Sequence, residues 1–499
     1  MRVSFALFTC LFWIALGQSP ATIAAQEHEH PVPEKLGSVK FATSCSADVQ
    51  PEFERAVALL HSFAYSAAEK AFRDIIAKEP NCAMARWGVA MTYFHQLWEP
   101  YVAETDRARG QSEIDQAKHL GGSERERGFI DALNIIYAKA ESVPYAERAK
   151  AYTQAMGQLA AHNPDDVECQ VFYALALIGT ASPSDKTHAN EKKAAALLEP
   201  LFQKYPQHPG IPHYLIHACD NSEMAKRGLA AAQAYSEIAP SAPHALHMPS
   251  HIYTRLGMWE QCIASNLAAR KAAHVQGDIG EELHAMDYLT YAYLQLGRDA
   301  EAAGVLAGLS GISGLQADLF KIGYAASAMP VRYAIERGKW SEAAHLVPIA
   351  GTQPQVAAIT VWARTIGLAR SGNLAAARQE LDRLEEAHKT LAGDDYWATQ
   401  LQVESNEAMA WIAYAEGKKD EALKLMRAAA DEEDAIEKRP VTPGAIVPAR
   451  EQLGDMLLQS NRASEALNEF EKALTMTPQR RGALMGQARA RQIVAAEKS

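Results

Sequence analysis

The chain has 499 residues, 48% of them hydrophobic and 22% charged, with a formal net charge of −11. These proportions are those of a folded globular protein and exclude a disordered, collagen-like or multispan membrane chain. The acidic balance, with no basic stripe, argues against nucleic acid as a partner, because Lys and Arg must neutralise phosphates to supply that affinity.

In chain order, the first feature is a leader-like segment. Met1-Arg2 is a short basic start, Phe5 to Leu16 an apolar run, and Ala21-Thr22-Ile23-Ala24-Ala25 a set of small residues fit for signal peptidase. Residues 1–25 therefore read as a signal peptide, and the expectation is an exported protein, periplasmic or secreted. Thr9 stands where a lipoprotein signal needs a small residue before Cys10, so lipidation is not expected. No later stretch reaches the roughly 20 apolar residues of a spanning helix.

Residues 26–44 read as a flexible polar tail. Gln26-Glu27-His28 would resemble an amino-terminal copper and nickel motif after cleavage at Ala25, and cyclisation of Gln26 would abolish it, so the tail is taken as a spacer. From there the pattern is helical throughout, in Ala- and Leu-rich segments broken by Gly, Pro or Asn, and sustained period-two alternation is absent. Ala68, Phe72 and Pro80, then Trp87-Gly88, mark an early helix pair, whereas about 101–204 is helical but poor in repeat signatures. Turn glycines then recur at Gly257, Gly297, Gly338, Gly372 and Gly417, followed five residues later by Cys262, Ala302, Ala343, Ala377 and Ala422.

The best unit is 447–478. Leu453, Gly454, Leu457, Ala466, Phe470, Ala473 and Pro478 occupy positions 7, 8, 11, 20, 24, 27 and 32 of a 34-residue frame. This spacing matches the tetratricopeptide repeat, whose small residues let two antiparallel helices approach. The predicted architecture is an all-α solenoid of antiparallel helix pairs with irregular repeats, divided into a divergent half at 45–240 and a tetratricopeptide-like half at 241–499.

Cleavage leaves Cys45, Cys82, Cys169, Cys219 and Cys262. Cys45 and Cys82 fall at one end of the first helix pair, where a bridge would close about 38 residues and add on the order of 4 kcal/mol in the chain-entropy model. Two buried free thiols are the alternative. The other three read as small packing residues.

Five of the 17 histidines lie between 213 and 251. His213 and His217 are spaced i, i+4; His244, His247 and His251 are spaced i, i+3, i+7, so each set projects from one helix face. With one helix expected between them, at about 222–238, both sets are predicted to face a common groove. His61, His95 and His284 fall on other predicted first helices and extend that set.

Three readings of this cluster remain open. In the first, the histidines are hydrogen-bonded walls of a peptide groove. In the second, with Asp220 as a fourth ligand and Met248 as a soft one, they hold zinc, copper or nickel. In the third they are acid-base catalysts, although His-Tyr-Leu-Ile-His lacks the glutamate of a zinc protease. Pro249 is expected to kink the helix and re-aim His251. Nucleophile elbows, phosphate loops, paired Cys-x-x-Cys and dinucleotide fingerprints are absent, so no catalytic residue is assigned.

Ala58-Leu59-Leu60-His61-Ser62-Phe63, residues 81–88 (Asn-Cys-Ala-Met-Ala-Arg-Trp-Gly), residues 244–253 (His-Ala-Leu-His-Met-Pro-Ser-His-Ile-Tyr) and Pro440-Val441-Thr442-Pro443-Gly444 resemble strings of exported bacterial tetratricopeptide-repeat proteins of uncharacterised function. That resemblance implies a right-handed solenoid acting as a scaffold for a protein or peptide in the cell envelope. The carboxylate clamp of chaperone-binding relatives has no counterpart, since Glu451 and Asp455 occupy the comparable face. The acidic run Asp431-Glu432-Glu433-Asp434 reads as a solvated helix face.

Overall fold

The computed structural model describes residues 34–391 and 395–498. The expected signal peptide, Cys10 and the His28 motif lie outside them. Among the described residues there are 24 helices and no strand. Each helix packs on its neighbours in sequence, and the first helix of a pair also touches the first helix of the next. Thus Ile279–Gln295 meets Phe320–Ile335, which meets Pro354–Arg370, which meets Asp395–Ala415. That is a stack of antiparallel helix pairs, with apolar core running from Leu36 to Ile252, from Trp259 to Met329 and from Phe320 to Ala490.

Local chemistry explains the units. All five turn glycines adopt positive φ, from 62° to 83°, the left-handed conformation that ends one helix and starts its partner without a Cβ clash. In the best unit, Ala449–Gln459 and Ala463–Met476 are the two helices. A Cβ on Gly454 would lie 2.6 Å from Phe470 Cε1, and one on Gly88 would lie 2.4 Å from Phe72 Cε1. A Gly-on-Phe contact thus closes the last unit and joins the first helix pair to the helix that follows it. Leu453, Leu457, Ala466 and Ala473 are buried around it.

Two departures from the expected organisation matter. The described part of the tail is packed, not flexible: Leu36, Val39 and Phe41 are buried, and Ser38 N–H donates to Gln207 O at 2.8 Å. Phe41 also sits against Phe53, Trp87 and Phe129. The disulfide between Cys45 and Cys82, with Cα atoms 5.0 Å apart, lies beside this first cap, and Cys169, Cys219 and Cys262 are buried free thiols.

The second departure concerns the groove. Residues 435–448 form an irregular strap between Lys419–Asp434 and Ala449–Gln459. The strap runs along first helices of successive pairs, the face expected to be an open groove. Arg332 donates to Ala445 O (2.9 Å) and Gly444 O (2.8 Å), Tyr288 Oη donates to Thr442 O (3.2 Å), and Lys438 Nζ meets Asp220 Oδ2 (2.6 Å). Part of the expected groove is therefore filled by the chain itself. Beyond the best unit, the chain returns to the middle of the array: Trp259 Nε1 donates to Gln479 O at 2.9 Å, next to Pro478, and the buried Arg480 pairs with Glu451 (2.7 Å) and Glu336 (2.8 Å). Glu451 is thus committed inside the protein.

Gly454→Val should lower the stability of the folded chain by about 1–3 kcal/mol, because Phe470 must move to admit the side chain. Chemical denaturation of the variant checks this; an unchanged midpoint would mean that the two helices do not depend on this contact.

Candidate metal centre

Four helices bring the histidines together: Gly210–Ala218 carries His213 and His217, Pro243–His247 carries His244 and His247, Pro249–Leu256 carries His251, and Ile279–Gln295 carries His284. Met248 separates the second and third of these, and Pro249, which has no N–H to offer the preceding turn, begins the third. All six rings are buried, with 0–7% of their surface exposed. They form an interior layer between first helices.

Within that layer the rings fall into two triads, His213/His217/His244 and His247/His251/His284. In each, one donor atom per residue lies within 4.8 Å of the others. The triads adjoin, with His217 and His251 ring centroids 5.7 Å apart and those of His244 and His247 6.0 Å apart.

Hydrogen bonds at the outer edge of the rings set the tautomers. His251 Nδ1 donates to Asp220 Oδ2 at 2.9 Å, and His247 Nδ1 donates to Asn266 Oδ1 at 2.7 Å. The Asn266 amide is itself oriented, because its Nδ2 donates to Cys262 O at 2.8 Å. Both Nε2 atoms therefore carry lone pairs, and they face each other at 3.1 Å. In the other triad His213 Nδ1 donates to His61 O at 2.5 Å, and its Nε2 lies 3.2 Å from His217 Nε2. His244 Nδ1 donates to Glu281 Oε2 at 3.2 Å, and its Nε2 has no partner.

Burial keeps His213, His217, His247, His251 and His284 neutral. Burial pushes His251 down to about 4, with the Asp220 hydrogen bond opposing it. Burial, then neighbouring His251 and His244, hold His247 well below the usual imidazole range; His213, His217 and His284 are lowered in the same way. For Asp220, burial opposes ionisation, but Lys438, Arg255 and His251 outweigh it and keep the carboxyl well below its usual range. Glu281 is likewise held ionised by Lys321 and His244 against its burial.

Several sequence expectations need correction here. Asp220 is not a fourth ligand beside the rings: its two oxygens are taken by His251, Arg255 and Lys438, so it orients His251 from behind. His61 joins a separate group, in which Glu168 bridges His61 Nε2 and His208 Nε2 at 2.8 Å each. His95 lies beyond the end of Ala83–Thr92 and stacks on Tyr65, 4.3 Å between centroids, apart from either triad. Met248 packs into the apolar core.

Glu281, Asn266, Glu168 and His208 were not singled out in the sequence. Glu281, His284 and Tyr288 do form an i, i+3, i+7 stripe on one helix, a signal that was available. A cavity of about 130 Å³ reaches His217 and Asp220 between residues 178–183 and strap residues 437–440.

No protein-family profile matches the chain, and no curated protein matches it. Among solved structures it is similar to the P58(IPK) TPR domain, at 12% identity over 91% of this chain and 100% of that one, with a TM-score of 0.22. It is also similar to human IFIT1, solved as a dimer with m7Gppp-AAAA, at 12% identity over 83% and 90% and a TM-score of 0.35. The third, yeast Tom70, shows 10% identity over 89% and 88% and a TM-score of 0.31. At these scores no ligand, residue role or family carries over to this chain. No helix among the described residues is long and apolar enough to cross a membrane.

In metal-free protein, nitrogen NMR of His247 and His251 should show neutral Nδ1–H tautomers at pH 6. Their folded values lie below the usual 6.5, so protonation waits until the pH falls toward about 4 for His251. A ring titrating near 6.5 would contradict the geometry.

Proposed function

We propose that the protein binds a transition-metal ion of the zinc, copper or nickel class at His247, His251 and His284, with His213, His217 and His244 as an adjoining second site. One observation carries this reading: the Nε2 atoms of His247 and His251 face each other at 3.1 Å while both Nδ1 atoms donate elsewhere. Two imidazole lone pairs at that distance repel unless a cation stands between them. Burial keeps protons off both rings. A metal–nitrogen bond of about 2.0–2.1 Å and a near-tetrahedral angle put two ligating nitrogens about 3.1–3.4 Å apart, which matches the separation.

Carboxylate and amide groups behind ligating histidines raise their basicity and fix their orientation, and Asp220, Asn266 and Glu281 stand in those positions. The donor set of neutral imidazoles suits zinc, copper and nickel over calcium or magnesium, which prefer oxygen. Three protein ligands leave a coordination position for a further ligand. The reading names no reaction, and the helical-repeat scaffold around the centre is compatible with a protein partner on its outer surface.

We extend the proposal to place: the metal is held outside the cytoplasm. The leader-like N-terminus and the Cys45–Cys82 disulfide support export, since disulfides persist in oxidising compartments.

Protein purified without a histidine tag or chelating resin, then exposed to each metal and dialysed, should retain one or two equivalents by mass spectrometry. His251→Gln should lose at least one of them. The metal-loaded parent should also melt higher than the stripped parent, because an ion bound only to the folded state adds its binding free energy. No retention of any of the three metals would overturn the reading.

A further inference from the structure

A cavity of about 160 Å³, separate in its chemistry from the histidine layer, opens beside the strap. Its lining includes Trp362, Tyr396 and Trp397 together with Glu404, Glu407 and Glu433. The expected solvated face of Asp431 to Asp434 is thus split: Asp431 is exposed and Glu433 turns inward.

The cationic side chains nearby are already matched. Arg450 pairs with Asp431, Asp434 and Glu469, Arg255 with Asp220 and Glu437, and Lys438 with Asp220. Glu404, Glu407 and Glu433 have no ion pair among the described residues. Glu407 accepts from Gln452 Nε2 at 2.6 Å and Glu433 accepts from Ala449 N–H at 2.8 Å, but Glu404 Oε2 is buried with no donor. The Trp362 indole, 2% exposed, also lines the cavity with its N–H unbonded, close enough to Glu407 to hold that carboxylate down slightly but not aligned with it.

The electrostatic cost is visible in the acids. Burial and the Glu433 charge push Glu404 up to about 8, burial lifts Glu433 to about 7, and Glu407 is raised well above the usual range by burial and both neighbours. Carboxylates in that condition gain from any cation brought among them.

The kind of cation follows from the geometry. The convergent single-ion clusters among the described residues are built on histidine, and these three glutamates are not among them. Spread acceptors call for an extended ligand with several N–H donors. Aromatic side chains in the same lining attract an organic cation through their quadrupoles. Tyr396 already holds one such group, the Arg439 guanidinium, 4.4 Å from its ring centroid.

We propose that this cavity binds a small organic polyamine, its ammonium groups received by Glu404, Glu407 and Glu433 and its alkyl chain lying against Trp362 and Trp397. The site stands independently of the metal centre.

Calorimetric titration of the full chain with putrescine and with spermidine, in metal-stripped and metal-loaded protein, tests this. Saturable one-to-one binding is expected, weaker by about tenfold or more in Glu404→Gln, the loss expected of one charge-assisted hydrogen bond. Tetramethylammonium, which has no N–H, should bind more weakly by a similar factor. Glu404→Gln keeps the shape of the protonated acid and should fold; Glu433→Gln is the second variant if it does not. No saturable binding of either amine, equal binding by both variants and parent, or equal competition by magnesium would each overturn the proposal.

Discussion

Asp220 is the junction on which the interior depends. It sits at the end of Gly210–Ala218, receives His251 from the next first helix, pairs with Arg255 one turn further on, and accepts Lys438 from the strap. One buried carboxylate thus ties two helices and the strap to a single point. Its charge is affordable there only because two cations and an imidazole N–H surround it; removing any one partner leaves charge uncompensated in the core.

The same junction explains why six imidazoles can be buried together. Helix stacks usually fill the space between helices with apolar side chains, as the Gly454–Phe470 unit does here. Between Gly210–Ala218 and Ile279–Gln295 the layer is polar, and each ring needs a partner for its outer nitrogen. Asp220, Asn266, Glu281 and the His61 carbonyl provide four of those partners. Having donated their Nδ1–H groups outward, His213, His244, His247 and His251 present Nε2 lone pairs inward. The inward concentration of neutral donors is what makes a cation the natural occupant.

Much of the fold was legible in the sequence because it is written in short-range chemistry. Each positive-φ turn glycine is followed five residues later by a small residue, and helical i, i+4 and i, i+7 intervals put the histidines on common faces. Long-range pairings were less accessible. The strap is an irregular segment whose Pro-rich string gives no hint that it lies against Asp220 and Arg332, residues more than 100 positions away. Asp220 was read as a ligand because its proximity to the histidines in sequence carries no information on which side of a ring it stands. His95 was misplaced because its helix stops at Thr92, before reaching it. Glu433 read as solvated because a run of four acids hides which of them turns inward.

In the proposed centre the neutral imidazoles of His247, His251 and His284 surround one metal ion. X-ray absorption at the metal edge of the loaded protein measures that directly. Three imidazole nitrogens are expected at about 2.0–2.1 Å, falling to two in His251→Gln. A shell dominated by oxygen or sulfur, or one unchanged by that substitution, would contradict it.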